Sequence, residues 1–459
     1  MMTENIQVLV RVRPLNEAER ARGDHECIHV TDDCRTVQFV APVAPDRRGA
    51  KSVVKALTFD GALCGSQQSE VFRASKITQL LRDALEGYAV TILAYGQTGS
   101  GKTFTMTGPE SLDYSDAEQA PLPGEHGAAG LIPRALGELF TMLGTPSHSH
   151  FVRASYLELY NEAINDLLNP ESTNLQLRWQ AKTGVFVENL LQVDCEGVAD
   201  AIAVFAEGTR NRKVGSHLLN KDSSRSHCIM TLYLPRKDLR GAEGRICFVD
   251  LAGSERLMET HTTGEALKET SHINKSLFVL GNVISALADP RKRAGHIPYR
   301  DSKLTRLLMD SLGGEGRTLM LACCSPSSLY LDETLNTLHF ASRAKNVQNR
   351  PVVPQPAVDT QAMLIQQLQA TLVSLQEENA CLKLRNDARA SEPAASSTHT
   401  GSSSMSAGSE IAALLADVRQ LRTSNELIQR SHDALLRENQ QLKTKLERLE
   451  KVFYHSEEK

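Results

Sequence analysis

The chain has 459 residues, too many for one ordinary domain, with a globular balance of 41% hydrophobic and 23% charged residues. Its formal net charge of −4 excludes whole-molecule attraction to nucleic acid or to an anionic membrane, so a polyanionic partner must be met by a local patch. Nine cysteines, at positions 27, 34, 64, 195, 228, 247, 323, 324 and 381, form no C-x-x-C pair and read as mostly buried, reduced thiols of a cytosolic protein. No signal peptide is evident and no apolar run approaches a membrane span, so no membrane insertion is expected.

Residues 1–347 mix short β-type runs with amphipathic helical stretches, an α/β pattern. The runs are Val8–Val12, Val90–Ala94, Ile246–Val249 and Leu319–Cys323. The second run enters AYGQTGSGKT, Ala94 to Thr103, which has the form G-x-x-x-x-G-K-[ST] with Gly96, Gly101, Lys102 and Thr103 at the fixed places. Triphosphate chemistry needs these residue types at this spacing. Glycines let successive N–H groups turn inward on phosphate oxygens, the lysine reaches the β- and γ-phosphates, and the threonine hydroxyl can ligate Mg²⁺. Phe104, Thr105 and Met106 open a helix whose N-terminus favours anions. Gln97, Thr98, Gly99 and Ser100 fill the loop. A Gly-rich turn can match such a pattern by chance, but here the strand and the lysine are both in place.

From Pro109 to Gly130 the chain is long and acidic (Glu110, Asp113, Asp116, Glu118, Glu125), the composition of a surface loop. NKDSSRSH, Asn220 to His227, is a hydroxyl-rich loop with one arginine. FVDLAGSE, Phe248 to Glu255, is a buried strand ending in Asp250, then a glycine and a glutamate. A carboxylate at a strand end beside a phosphate loop suits Mg²⁺, directly or through water. Each segment alone is weak evidence; with the phosphate loop they describe a triphosphatase. Cations then cluster at Arg291, Lys292, Arg293, Arg300, Lys303 and Arg306, with Lys275 on the preceding predicted helix. Such clusters can be solvated faces or polyanion sites that weaken with salt.

Residues 348–358, with three prolines, end any preceding helix. A first heptad stretch (359–384) runs through Ile365, Leu368, Leu372, Leu375, Asn379 and Leu382. A second (411–455) runs from Ile411 to Phe453, with Asn425 and Asn439 at positions where a polar residue fixes register and oligomer state. Residues 385–410, rich in Ser, Ala, Thr and Gly, read as a disordered linker. The expected organisation is thus a 1–347 catalytic domain, a 348–358 neck, two α-helical coiled coils and a linker between them. A homodimer through the coils is expected, and a single amphipathic helix is the alternative for the first coil.

Together with RVRPLN (Arg11 to Asn16), SYLELYNEAINDLL (Ser155 to Leu168), INKSLFVLGNVISAL (Ile273 to Leu287), HIPYRDSKLTRLLMDSLGG (His296 to Gly314) and ASRAKN (Ala341 to Asn346), these motifs closely resemble the kinesin motor domain over about Ile6 to Pro351. GVFVENL and the Pro-rich neck are similar to the kinesin-12 group. The resemblance implies a central mixed β-sheet flanked by helices, with ATP and Mg²⁺ as nucleotide and metal. It implies that Arg11, Arg13 and Pro14 line the adenine site with Phe104 on the other side. Thr103 and Ser224 would ligate Mg²⁺, and Asp250 would hold it through water. Ser223 would place the attacking water, the Gly253 N–H would sense the γ-phosphate, and Arg225 with Glu255 would form the ion pair that closes the site. His227 reads as a structural hydrogen-bonder rather than a base.

The resemblance also implies microtubules as the partner, met by Lys275, Arg300, Lys303 and Arg306, and movement towards the plus end from a cytoskeletal location. Nucleic acid, the competing polyanion, is not expected. Three departures from the family pattern stand out. Glu259 replaces a usual lysine and Ser271 a base found in some relatives; Pro354 replaces an asparagine that pins the docked neck; and the 109–130 insertion is long. The first two point to a rival reading, a slowly hydrolysing tether that does not step. A GTP switch is disfavoured because no N-K-x-D motif follows in the expected place.

Overall fold

In the strand Ala89–Tyr95, Val90, Ile92 and Ala94 face one way, Leu93 and Tyr95 face the other, and all five are buried. A strand apolar on both faces needs cover on both sides, and the chain supplies helices to each. The computed structural model describes residues 3–40, 54–65, 67–109, 111–112, 127–144, 152–180, 184–218, 223–234, 243–255 and 265–353. Within these, residues 215–218, Ser223 and 265–274 are described by their backbone alone. Two units divide the chain, Met1–Met363 and Leu364–Lys459, and the second lies wholly outside the described residues. So do Pro354, both expected coils, the 385–410 linker, Asn220, Glu259 and most of the 109–130 insertion; the Ser271 side chain is likewise undescribed.

The central sheet is mixed. Across it run Val193–Cys195, Val152–Tyr160, His227–Leu234, Gly244–Asp250, Ala89–Tyr95, Arg317–Cys324, Gln7–Val12 and Gly61–Cys64, with Ala163–Asp166 pairing Val152–Tyr160. The five strands from Gly244–Asp250 to Gly61–Cys64 are parallel; the others join antiparallel. Three helices, Glu265–Ala288, Lys303–Leu307 and Leu331–Ala344, cover one face through residues such as Val283, Leu304 and Leu338. The opposite face is covered by Ile77–Leu85, Lys102–Thr107, Leu131–Leu143 and Val198–Leu218 through Leu81, Met106, Leu136 and Phe205. Tyr95 stacks on Phe340 with ring centroids 3.9 Å apart.

Register sets the site. Asp250 pairs alongside Ala94, and Cys323 alongside Arg11, so the ends of three parallel strands flank the glycine loop that follows Tyr95. This is the carboxyl edge of parallel strands, where α/β sheets open a crevice for ligands. Among the described cysteines there is no disulfide; Cys34 and Cys64 are exposed. No helix among the described residues is long and apolar enough to cross a membrane.

Candidate functional site

Gly96 leaves the strand at φ +151°, and a Cβ there would collide with the Cys323 carbonyl, so close passage over the neighbouring strand end demands glycine. Gly101, at φ +96°, is the N-cap of Lys102–Thr107. Lys102 is buried and folds back so that its Nζ donates to the Gln97 carbonyl at 2.9 Å. Burial pulls its pKa below the ordinary lysine value, against the raising effect of Asp250 and Glu255. The Ser100 hydroxyl is fully buried without a hydrogen-bond partner, and Gln97 is likewise buried. Gly96, Gln97 and Ser100 therefore shape the loop, whereas Thr98, Gly99, Gly101, Lys102, Thr103 and Phe104 line a cavity of about 480 Å³ beside it. Arg11, Arg13, Pro14, Leu15, Asn16, Ser224 and Leu251 complete its wall.

Asp250 carries the metal question. Its Oδ2 accepts from the Thr103 hydroxyl at 2.8 Å and from Arg212 Nη1 at 2.9 Å. Its Oδ1 is buried without a hydrogen-bond partner. A buried carboxylate oxygen with spare lone pairs, on a residue bonded to Thr103 of a cavity that Ser224 also lines, fits a hard divalent cation such as Mg²⁺. Arg212, on the Val198–Leu218 helix, belongs to no recognisable motif, and nothing in the sequence pointed to it.

On the other wall Arg11 is buried and stacks over the Phe104 ring at 5.2 Å, while its Nη1 donates to Gln68 Oε1 and Thr105 Oγ1. Arg11 and Phe104 thus touch and make one continuous wall, not two facing sides. Arg13 is a brace. Its Nε donates to the Gly99 carbonyl at 2.6 Å and its Nη atoms hold the carboxylate of buried Glu19. The Arg13 hydrogen bonds hold Glu19 below the usual carboxylate range. Asn16 and Glu19 form a reciprocal capping box on Glu17–Ala21. That N-x-x-E spacing was legible in the sequence, although the brace it builds was not.

Ser223, Ser224 and Arg225 form a single 3₁₀ turn leading into the strand His227–Leu234. The Gly253 N–H donates to the Ser224 carbonyl at 2.7 Å, and the Ser254 N–H to the Gly96 carbonyl at 3.0 Å. Glu255 accepts from the Thr98 N–H at 2.7 Å and from its hydroxyl at 2.5 Å. These bonds differ from the expected set, in which Gly253 faces the γ-phosphate and Glu255 pairs with Arg225. Backbone donors take an acceptor in reach: the Gly253 N–H takes the Ser224 carbonyl, and the Glu255 carboxylate takes the two donors of exposed Thr98. A Cβ on Gly253 would strike the Thr98 hydroxyl and the Glu255 carboxylate, so a side chain there would have to push that pair aside.

His227 ties this turn to a helix. Its Nδ1 accepts from the Ala252 N–H at 2.9 Å, which leaves the proton on Nε2, 2.8 Å from the Ser276 hydroxyl on Glu265–Ala288. Burial lowers its pKa to about 3, so the ring is neutral at ordinary pH. That rules out a role as a charged group and agrees with a structural hydrogen-bonder.

The basic face is only partly free. Lys275 and Arg300 are exposed; Lys303 and Arg306 are half-buried on Lys303–Leu307, which packs against Glu265–Ala288. Arg293 is committed elsewhere. Its guanidinium caps the helix at the Leu287 carbonyl (2.9 Å) and reaches Gln348 and the Asn346 carbonyl. Arg293 accordingly secures the exit of the chain from the domain. Beyond it, buried Asn349 accepts from the Gly313 N–H and donates to the carbonyls of Ser311 and Gly316, at 2.8, 2.9 and 2.6 Å.

A phosphate loop on the carboxyl edge of a mixed, helix-covered sheet, with a carboxylate strand beside it and a serine–arginine turn above, defines a nucleoside-triphosphate-binding α/β protein. The sequence narrows the class further: the kinesin motor domain family model matches residues 11–347. The chain belongs to that family. It is 41% identical over 394 residues to the kinesin-like protein KIF12 of Mus musculus, covering 83% of this chain and 58% of that protein. It is 37% identical over 458 residues to the kinesin-like protein KIN-12D of Arabidopsis thaliana, covering 96% of this chain and 16% of that protein. A solved structure of a fast kinesin superposes with a TM-score of 0.66 at 36% identity, over 77% of this chain and 95% of that one. The chain thus spans little more than half of the mouse relative and a sixth of the plant one.

Proposed function

We propose that this chain is a microtubule-stimulated ATPase that converts hydrolysis into plus-end-directed movement along microtubules. The observation that carries the reading is the linkage from Glu255 and Gly253, through Ala252 and His227, to Ser276 on the helix beside the basic face. The neighbouring solved kinesin is described in terms of an ATPase mechanism and interactions with microtubules, which supports the same activity here. Similarity to KIN-12D, with the GVFVENL segment, supports a place near the kinesin-12 group.

Each group has a role that its position supports. Lys102 leaves the Gln97 carbonyl for the β- and γ-phosphates, and the loop N–H groups cradle the rest. Thr103 and Ser224 would hold Mg²⁺ with Asp250 behind a water, and that ion neutralises charge on the phosphate oxygens when bound. Arg11 with Phe104, and Pro14 lining the same cavity, fit an adenine ring. Gly253 exchanges the Ser224 carbonyl for the γ-phosphate, and Glu255 exchanges Thr98 for Arg225, closing the turn. Ser223 orients the attacking water, and the Arg225–Glu255 pair accepts its proton. A turn with two alternative hydrogen-bond sets is a two-state element that γ-phosphate can bias.

Residues 1–347 form the motor, 348–358 the neck, 359–384 and 411–455 the coils of a homodimer, and 385–410 the spacer between them. The location is the microtubule cytoskeleton. A second reading, a slow tether, draws support from Pro354, which has no N–H to pair. Surface gliding on polarity-marked microtubules tests both. Movement with minus ends leading is the expected result, attachment without movement leaves the tether, and a parallel ATPase assay in which microtubules leave turnover unchanged sinks the motor reading.

A further inference from the structure

Gln68 is fully buried at the start of the helix Gln68–Ala74, and no motif marks it in the sequence. Both ends of its amide are used. Oε1 accepts from Arg11 Nη1 at 3.0 Å, and Nε2 donates to the Phe104 carbonyl at 2.5 Å. A guanidinium only donates and a carbonyl only accepts, so these partners fix which way the amide points. Arg11 and Phe104 are the residues that make one continuous wall of the nucleotide cavity, the guanidinium lying 5.2 Å over the ring. Arg11 Nη1 also reaches Thr105 Oγ1 at 2.7 Å, and that hydroxyl donates to the Gly101 carbonyl at 2.6 Å. Gln68 lies behind this wall and does not line the cavity. It ties the strand Gln7–Val12 to the helix Lys102–Thr107 at the point where the two wall residues meet.

Holding an arginine and a backbone carbonyl at once needs a side chain that both accepts and donates. Glutamate only accepts, lysine only donates, and methionine of the same length does neither strongly. The amide is carried on an anchored backbone. Val71, three residues on, is buried in the same core as Leu81 and Leu136, and its helix packs against Ile77–Leu85 and Leu131–Leu143. Buried bonds of this kind are costly to leave unmade, so without the amide both Arg11 and Phe104 would shift to find other partners. We propose that Gln68 is a positioning residue for the nucleotide base, holding the Arg11 guanidinium over the Phe104 ring so that the base meets a preformed wall. A preformed wall binds without the cost of ordering two side chains. The phosphates are served by other groups, the loop N–H groups and Lys102, so Gln68 acts on the base alone. The inference deepens the ATPase reading above and rests on it.

The test uses the full chain freed of bound nucleotide and titrates it with ATP and with inorganic tripolyphosphate, each with Mg²⁺. Tripolyphosphate carries the phosphates without the base. Gln68→Met keeps the length and loses both bonds. It should weaken ATP binding about tenfold, the order expected when one buried hydrogen-bonding partner is lost, and leave tripolyphosphate binding unchanged. In steady-state assays KM for ATP should rise by a similar factor with kcat unchanged, the pattern of lost uniform binding. Gln68→Glu keeps the acceptor for Arg11 and loses only the donor to Phe104, so its ATP affinity should fall between those of the wild type and Gln68→Met. Melting temperatures report folding, and Gln68→Glu carries the test if Gln68→Met does not fold. A glutamine serving stability alone would affect both ligands alike. Equal losses for ATP and tripolyphosphate, or ATP binding as tight as in the wild type, overturn the inference and leave the ATPase reading standing. A wild type that binds neither ligand removes the ATPase reading itself.

Discussion

Arg212 and Asp250 meet at 2.9 Å with both side chains buried, on the same carboxylate oxygen that accepts from the Thr103 hydroxyl. One oxygen of the carboxylate is therefore held by a permanent cation and a hydroxyl, and the other is left without a protein donor. The pair and Thr103 thus occupy Oδ2 and leave Oδ1 as the oxygen that can meet a metal.

Breaking this pair strands a buried carboxylate beside an apolar substitute. Arg212→Leu should cost about 3–5 kcal/mol of stability, the usual penalty for removing one partner of a buried ion pair. Thermal or urea unfolding of the isolated variant checks the figure. A loss under 1 kcal/mol would mean that water reaches the site and the pair contributes little.

His227 makes stability depend on pH with a definite sign. Its folded pKa of about 3 lies below the ordinary 6.5 because burial disfavours the charged ring. Below pH 6.5 the unfolded chain takes up a proton that the folded chain does not, so stability from this residue falls with pH down to about 3. His227→Asn should start less stable near neutral pH, having lost the Ser276 contact, and then converge on the wild type by about 1.4 kcal/mol per pH unit below 6.5. Parallel unfolding curves for the two proteins over that range would contradict the neutral, buried assignment.

For Glu255, the expected outcome is kinetic. Glu255→Ala should abolish the microtubule acceleration, a loss on the order of 10²–10³-fold in stimulated turnover, while nucleotide binding persists. Arg225→Ala should lose as much, and the double variant little more, because a pair acting as one latch fails as one. Additive losses in steady-state ATPase assays would show that the two residues act separately.

The neck offers a fourth prediction. The Arg350 N–H donates to the Gly314 carbonyl at 2.9 Å and the Val352 N–H to the Glu315 carbonyl at 3.2 Å, with Pro351 between them where no donor is needed. Residue 354 lies outside the described residues, and its proline has no N–H to offer. Pro354→Asn should lengthen single-molecule runs of the dimeric chain; equal or shorter runs would remove this account. Asn349→Ala, by contrast, leaves the buried Gly313 N–H and two carbonyls without their partner and should cost on the order of 1–3 kcal/mol in unfolding experiments.

Much of the site was readable because its parts are local. A phosphate loop is ten consecutive residues, and glycine, lysine and threonine reveal their roles through backbone freedom, charge and hydroxyl chemistry. The α/β class followed from runs such as Val90–Ala94 for the same reason. The reading was less successful where a side chain's partner is distant. It put Arg293 in the basic patch, although the end of the Glu265–Ala288 helix and the Asn346–Gln348 exit claim that guanidinium. It treated Arg11 as a simple lining residue, although Gln68, Thr105 and Phe104 hold it.

The sequence by itself therefore determined the chemistry of this protein: a triphosphate loop, a strand-end carboxylate, a serine–arginine loop and family membership, all carried by contiguous residues. Only the tertiary structure decided the connections. Parallel register set Asp250 alongside Ala94, and helix packing brought Arg212 to Asp250 and Ser276 to His227. The same packing brought Gln68 to Arg11 and to the Phe104 carbonyl. The physical reason is that hydrogen bonds, ion pairs and apolar burial act over a few ångströms in space and are indifferent to separation along the chain.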